Sequence, residues 1–192
     1  MKRRTGKLQL GRAMQTVTVC DGLSLVLLAL VLRSTAVQAH SASDAYLNLK
    51  ADKANEGGKL VIHGQWDIAL RDLDFVLKLD EDGDGRLTWG EVRRHHAAIE
   101  HYAYGYLHFD GGPGNACAVK PSRQMVDNHA DGAYAALFFD VECALVPTTL
   151  TLVYNMFFAI DPSHRGICVM RSGANTATAV LSPQNAKIEL SL

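Results

Sequence analysis

Sequence signatures of the common enzyme classes are missing from this chain. It contains no G-x-S-x-G nucleophile elbow, no H-E-x-x-H zinc helix, no phosphate-binding P-loop and no dinucleotide fingerprint. Its four cysteines include no C-x-x-C pair, the usual signature of a structural zinc site. Asp161, His164 and Arg165 could form an acid-base group, but a turn that begins with Asp161-Pro162 and is held by a salt bridge of Arg165 explains them more simply. We therefore expect that the protein is not an enzyme.

Long hydrophobic runs are scarce as well. The apolar run Leu23–Leu32 covers ten residues, whereas a membrane helix needs about 20. A basic stretch precedes this run, and Val37, Gln38 and Ala39 suit a signal cleavage site. Residues 1–39 are therefore predicted to be a secretory signal peptide, and residues 40–192 a single exported domain that is periplasmic or secreted and has no membrane span. The alternative is a retained N-terminal anchor, because the basic region is long and Arg33 interrupts the end of the run.

Positive charge is scarce in the exported part. Residues 1–39 hold six of the 19 basic residues and one of the 20 acidic ones, so residues 40–192 have a net charge of −6. These residues contain no basic patch. An acidic domain is unsuited to unspecific attraction to nucleic acid or anionic lipid, and no nucleic-acid partner is expected.

One acidic segment, Asp80–Glu91, has the twelve-residue pattern of a calcium-binding loop. Calcium is a hard cation that takes six to eight oxygen ligands. The pattern predicts carboxylates at loop positions 1, 3, 5 and 12, a backbone carbonyl at position 7, and a side chain or a held water at position 9. The corresponding residues are Asp80, Asp82, Asp84, Glu91, Arg86 and Thr88. Gly85 at position 6 permits the sharp turn. A plain acidic turn would require neither the third aspartate nor the closing glutamate, so calcium is the predicted cofactor.

Helices are predicted on both sides of this loop. Leu70, Leu73, Val76 and Leu77 recur at spacings of three and four, which suits an amphipathic helix that starts near Trp66. After the loop, residues 91–104 contain neither proline nor glycine, so a single exit helix is predicted there. Residues 66–104 are thus expected to form a helix-loop-helix of the EF-hand type.

The remaining chain consists of short β-type runs separated by turn signals. The predicted strands are Ala45–Leu49, Lys59–Trp66, Gly105–Phe109, Cys117–Lys120, Ala133–Val141, Thr148–Ile160, Gly166–Arg171, Thr176–Leu181 and Ala186–Leu190. Strands at this close spacing favour an antiparallel β-sandwich. The predicted fold class is therefore α+β, an antiparallel β-sandwich with an inserted EF-hand.

Three cysteines remain after removal of the signal peptide. An oxidising compartment favours one disulfide, and three pairings are possible. The pair Cys117–Cys143 is favoured because Cys117 opens one strand-like run and Cys143 ends another. Cys168 lies inside an apolar run, where a buried free thiol is common.

Several segments resemble the extracytoplasmic N-terminal region of HupE/UreJ-type bacterial membrane proteins. They are His40–Leu47, Gly64–Asp74, the calcium loop with its Trp89-Gly90-Glu91, and Asp161–Gly166. The likeness covers most of residues 40–192. In that family several membrane helices associated with metal transport follow this region, whereas this chain stops at Leu192. The resemblance therefore implies no transport, but an exported, calcium-binding, β-rich domain that acts beside a separately encoded membrane-protein partner.

Histidines suggest an alternative of a different class. Cleavage after Ala39 would place His40 at the amino terminus, where the amine and the imidazole together chelate Cu(II) well. His63, His129 or His164 would complete such a site. The expected function is thus calcium binding that shapes a helix pair for contact with a partner, and the alternative is a copper- or nickel-binding protein.

Overall fold

The computed structural model describes residues 43–52 and 60–192. The predicted signal peptide and His40 lie outside these residues. The described elements are the strands β1 (Asp44–Ala51), β2 (Val61–Ala69), β3 (Leu107–Asp110), β4 (Cys117–His129), β5 (Gly132–Cys143), β6 (Thr149–Tyr154), β7 (Arg165–Ser172), β8 (Asn175–Leu181) and β9 (Lys187–Ser191), with the helices α1 (Leu70–Leu77), α2 (Trp89–Arg94) and α3 (His96–Tyr104). Within these ranges no helix is both long and apolar enough to cross a membrane.

The strands form two sheets. A six-stranded sheet has the order β4-β5-β2-β1-β7-β8, and a three-stranded sheet has the order β3-β6-β9. A strand-rich chain with two sheets and few helices is thus confirmed. The expectation of purely antiparallel pairing is wrong for one pair, because β1 and β7 run parallel with Asp44 opposite Arg165. A parallel pair needs a long connection, and the chain between these strands includes three helices and five further strands.

A single apolar core joins the two sheets. In β1, alternate residues are buried, as the two-residue period of a strand requires (Ala45, Leu47, Leu49 and Ala51). Trp66 of the large sheet contacts Tyr154 of the small sheet, with ring centroids 5.6 Å apart. Phe139 and Phe109 make a similar contact at 6.1 Å. The small sheet therefore packs on one face of the large sheet.

Several predicted boundaries of the helices and strands are wrong. The first helix begins at Leu70 rather than near Trp66, because Trp66 pairs with Leu47 on one side and Leu137 on the other. The exit helix is interrupted at His95 and forms α2 and α3. The run predicted to end at Ile160 leaves the sheet at Tyr154 and continues as a turn, whereas β4 extends to His129.

The disulfide prediction is confirmed. Cys117 and Cys143 lie opposite each other in the pairing of β4 with β5 and are bonded. Cys168 is a buried free thiol. The bond therefore links the N-terminal end of β4 to the C-terminal end of β5.

Gly64 lies where β2 passes under an aromatic ring, and a Cβ atom there would overlap the ring of Phe139. Phe139 is 1% exposed, so its ring has little room to move. We expect Gly64→Ala to lower the free energy of unfolding by about 1–3 kcal/mol, the usual cost of overpacking a core. Gly90→Ala is the control, because a Cβ atom added there would lie 3.4 Å from its nearest neighbour, Nη1 of Arg94, and Gly90 is an exposed helical position. In urea unfolding with chelator present, Gly90→Ala should not lower the free energy of unfolding. It should raise it by up to about 1 kcal/mol, because alanine favours a helix more than glycine does. Equal effects of both substitutions would contradict the proposed overlap.

Candidate metal centre

The segment between α1 and α2 is held at both ends. Lys78 ends α1 in the left-handed conformation, with φ of 55°, and its N–H donates to the carbonyl oxygen of Asp74 at 2.8 Å. The N–H of Asp80 donates to Oδ1 of the same Asp74 at 2.9 Å. Leu79 before the loop and Val92 after it are buried in the core. The acidic residues between them therefore belong to a segment with fixed ends.

Three aspartates of the predicted calcium loop lie together. One carboxylate oxygen from each of Asp80, Asp82 and Asp84 lies within 4.8 Å of those from the other two. Two of these residues are exposed and Asp80 is half-buried. Carboxylates this close repel one another, and carboxylate oxygens are the ligands that hard divalent cations prefer.

Hydrogen bonds within the loop place these carboxylates. Asp80 accepts the N–H groups of Gly83 and Gly85, each at 2.8 Å. Asp84 accepts the N–H of Arg86 at 2.8 Å, and Asp82 accepts the N–H of Asp84 at 3.2 Å. Gly85, at position 6 of the loop, has φ of 77°, a conformation that favours glycine. The glycines and aspartates together produce the tight local turns.

Glu91 lies at the start of α2 and outside this group of three. Its Oε2 accepts the N–H of Thr88 at 2.8 Å and the hydroxyl of Thr88 at 2.7 Å, while its Oε1 accepts the N–H of Glu81 at 3.1 Å. The N–H of Glu91 donates to Oγ1 of Thr88, which completes a capping box. These hydrogen bonds hold the pKa of Glu91 below its usual range, and those from Thr88 have the largest effect.

The residues present therefore fit a hard divalent cation in part. Three carboxylates converge, as such an ion requires. The fourth predicted carboxylate, that of Glu91, is hydrogen-bonded at the helix cap together with Thr88. A complete oxygen shell requires Glu91 to exchange these hydrogen bonds for the ion, a change of one side chain at the edge of the loop.

The histidines named for the alternative metal site have separate partners. His63 contacts Asp140 at 2.6 Å through Nδ1 and Asp52 at 3.3 Å through Nε2. His129 stacks on Tyr134 with ring centroids 4.1 Å apart. Across residues 43–52 and 60–192, the aspartate group is the only set of three or more metal-ligating side chains that converge.

A buried polar chain, which sequence reasoning did not find, lies away from the loop. His164 is 0% exposed, with Nδ1 2.7 Å from Oγ of Ser43 and Nε2 2.7 Å from the hydroxyl of Tyr154. The hydroxyl of Ser43 donates to Oδ2 of Asp72 at 2.8 Å. Ser43 and His164 are 121 positions apart in sequence, so no local pattern could reveal this contact. The side chains of Asp161 and Arg165, the other members of the candidate acid-base group, have different partners: Asp161 accepts the N–H and hydroxyl of Ser163, and Arg165 donates to the carbonyl oxygens of Pro162 and His164.

The chain matches no protein-family model and no characterised protein in sequence comparisons. The geometry of the loop and the pattern of its residues therefore carry the functional argument.

Proposed function

We propose that this protein binds calcium through the loop Asp80–Glu91, which with α1 and α2 forms a helix-loop-helix of the EF-hand type inserted into a β-sandwich. The observation that carries the proposal is the convergence of three aspartate carboxylates at alternate positions of the loop. The positive φ of Gly85 at position 6 and the position of Glu91 in the first turn of α2 support it.

The loop residues act in two groups. Asp80, Asp82 and Asp84 are held in place by backbone N–H donors of the loop, so they need little rearrangement. A calcium ion supplies the positive charge that offsets their mutual repulsion. Glu91 leaves the N–H and hydroxyl of Thr88 to complete the oxygen shell. Binding is therefore coupled to the capping box at the start of α2.

The adjoining surface supports a role in contact with a partner. Trp89 and Met125 are 55% and 48% exposed, and both line a cleft of about 590 Å³ between α2 and β4. We propose that the protein is exported, that calcium shapes this helix pair for the contact, and that the partner is a membrane protein, as the resemblance implies. Thr88 and Trp89 both line this cleft, so the capping hydrogen bonds that Glu91 would give up lie at its edge.

Tryptophan fluorescence tests the calcium proposal. Trp66 is fully buried in the core and Trp89 is exposed, so a change in emission on calcium addition should come from Trp89. We expect saturable binding by the exported protein with a dissociation constant of about 10⁻⁴ to 10⁻³ M, the range of extracellular modules. Trp89→Phe should abolish the fluorescence change while calorimetry still detects calcium binding. The absence of calorimetric heat at about 10 mM calcium, well above that range, would refute the proposal.

A further inference from the structure

A second cleft lies between α1 and the turn that follows β6. Its volume is about 340 Å³. The cleft is lined by Arg71 and Asp72 of α1, by Asp161 of the turn and by Ser43. This cleft shares none of the residues of the predicted calcium loop.

The buried polar chain ends at one wall of this cleft, on Asp72. The hydroxyl of Ser43 donates to Oδ2 of Asp72, so Oγ of Ser43 can only accept from His164. His164 must then donate from Nδ1 to Oγ of Ser43, and its Nε2 accepts the hydroxyl of Tyr154. Every member of the chain thus donates towards Asp72. Burial raises the pKa of this half-buried carboxyl group, and the hydrogen bond from Ser43 opposes that shift.

The lining residues have an excess of negative charge. Asp72 and Asp161 provide two carboxylates against the single guanidinium of Arg71. Nε of Arg71 lies 3.6 Å from Oδ1 of Asp72. The same guanidinium also contacts Asp131: its Nη2 is 3.7 Å from Oδ2, and its Nη1 donates to the carbonyl oxygen at 3.3 Å. The neighbouring Arg165 donates to the carbonyl oxygens of Pro162 and His164. The cleft therefore suits a singly charged cation and disfavours an anion.

The other walls of the cleft are apolar. Phe75 and Ile160 are 67% and 51% exposed, and both line this one cleft. The ammonium of Lys78, which does not line the cleft, lies 5.4 Å from the Phe75 ring centroid and adds one positive charge beside this wall. Phe157 is buried and has φ of 61°, a strained conformation for a bulky residue, and its ring lies edge-on to that of His164 with centroids 5.0 Å apart. These walls offer no ligand to a metal ion but a favourable contact to a hydrocarbon body.

We propose that this cleft binds small organic cations of the amine class. The ammonium group lies against Asp72 and Asp161, and the hydrocarbon body lies between Phe75 and Ile160. The carboxylates attract the ammonium group by charge. The exposed aromatic and aliphatic side chains bury the hydrocarbon body away from water.

Benzylamine and benzyl alcohol are suitable probes, because they have the same ring and differ in charge. With the purified exported protein, ligand-observed NMR titration should show benzylamine binding at least about tenfold more tightly than benzyl alcohol, equivalent to about 1.4 kcal/mol. Asp161→Asn should weaken benzylamine about tenfold, while Asp127→Asn, the same change on exposed β4, should have no effect. Phe75→Ala removes an exposed side chain and should weaken both probes without unfolding the protein.

Three results would overturn the proposal. They are equal binding of the amine and the alcohol, unchanged amine binding in Asp161→Asn, and loss of amine binding in Asp82→Asn. The last result would assign the amine to the acidic loop instead. A failure of calcium binding in the fluorescence test has no bearing on these outcomes, because the cleft uses different side chains.

Discussion

Replacing Glu91 by glutamine is expected to weaken calcium binding about a hundredfold, equivalent to about 2.7 kcal/mol. Glu91 is the position of the loop that should contribute two oxygens and a negative charge, and glutamine removes the charge and one acceptor oxygen. The amide oxygen of glutamine can still accept the N–H of Thr88, so the cap of α2 should persist. The substitution thus separates the role of Glu91 as a ligand from its role as a helix cap.

Glu100→Gln is the matched control for this experiment. It removes the same charge from a partly exposed residue of α3, outside the loop. Titration calorimetry should show an affinity within about twofold of the unsubstituted protein for this control, because a distant exposed charge is screened by salt. If Glu91→Gln and Glu100→Gln bind calcium equally well, Glu91 is not a ligand and the proposed loop chemistry is incorrect.

The placement of the loop could be predicted because its determinants are local. Asp80, Asp82 and Asp84 converge through hydrogen bonds to N–H groups no more than five residues away. The arrangement of Glu91 could not be predicted, because Thr88 and Glu91 satisfy two patterns at once. They occupy positions 9 and 12 of a calcium loop and also form the Thr-x-x-Glu sequence of a capping box. The sequence cannot distinguish these two uses of one carboxylate.

The fold shows a similar division between local and distant determinants. All nine predicted strand segments overlap a strand of the structure, because alternation and turn signals are local. The sequence does not predict β4 beyond Lys120, because Pro121 and Arg123 follow there. β4 is an edge strand, and its exposed positions tolerate these residues. The parallel pairing of β1 with β7 joins segments far apart in the chain. No short-range pattern carries that information.

The buried histidine should make the protein acid-sensitive. His164 is enclosed between Ser43 and Tyr154, and burial lowers its pKa to about 4. In the unfolded chain a histidine has a pKa of about 6.5. Between these values the unfolded state binds more protons, so the free energy of unfolding must fall as the pH is lowered from about 6.5 to about 4. Because one pKa unit corresponds to about 1.4 kcal/mol, the expected loss is of the order of 3 kcal/mol.

Urea unfolding at several pH values, with chelator present, measures this effect. Asp67 and Asp72 also have pKa values shifted by burial, in their case upwards, so the difference between two proteins is needed. His164→Gln is expected to be less stable at pH 7, because it leaves Tyr154 and Ser43 imperfectly paired, but it lacks the titration. The difference in free energy of unfolding between the unsubstituted protein and His164→Gln should therefore shrink by about 3 kcal/mol as the pH falls from about 6.5 to about 4. The exposed-site variant His101→Gln should keep the full pH dependence. A constant advantage over His164→Gln at every pH would mean that His164 is not held neutral by its surroundings.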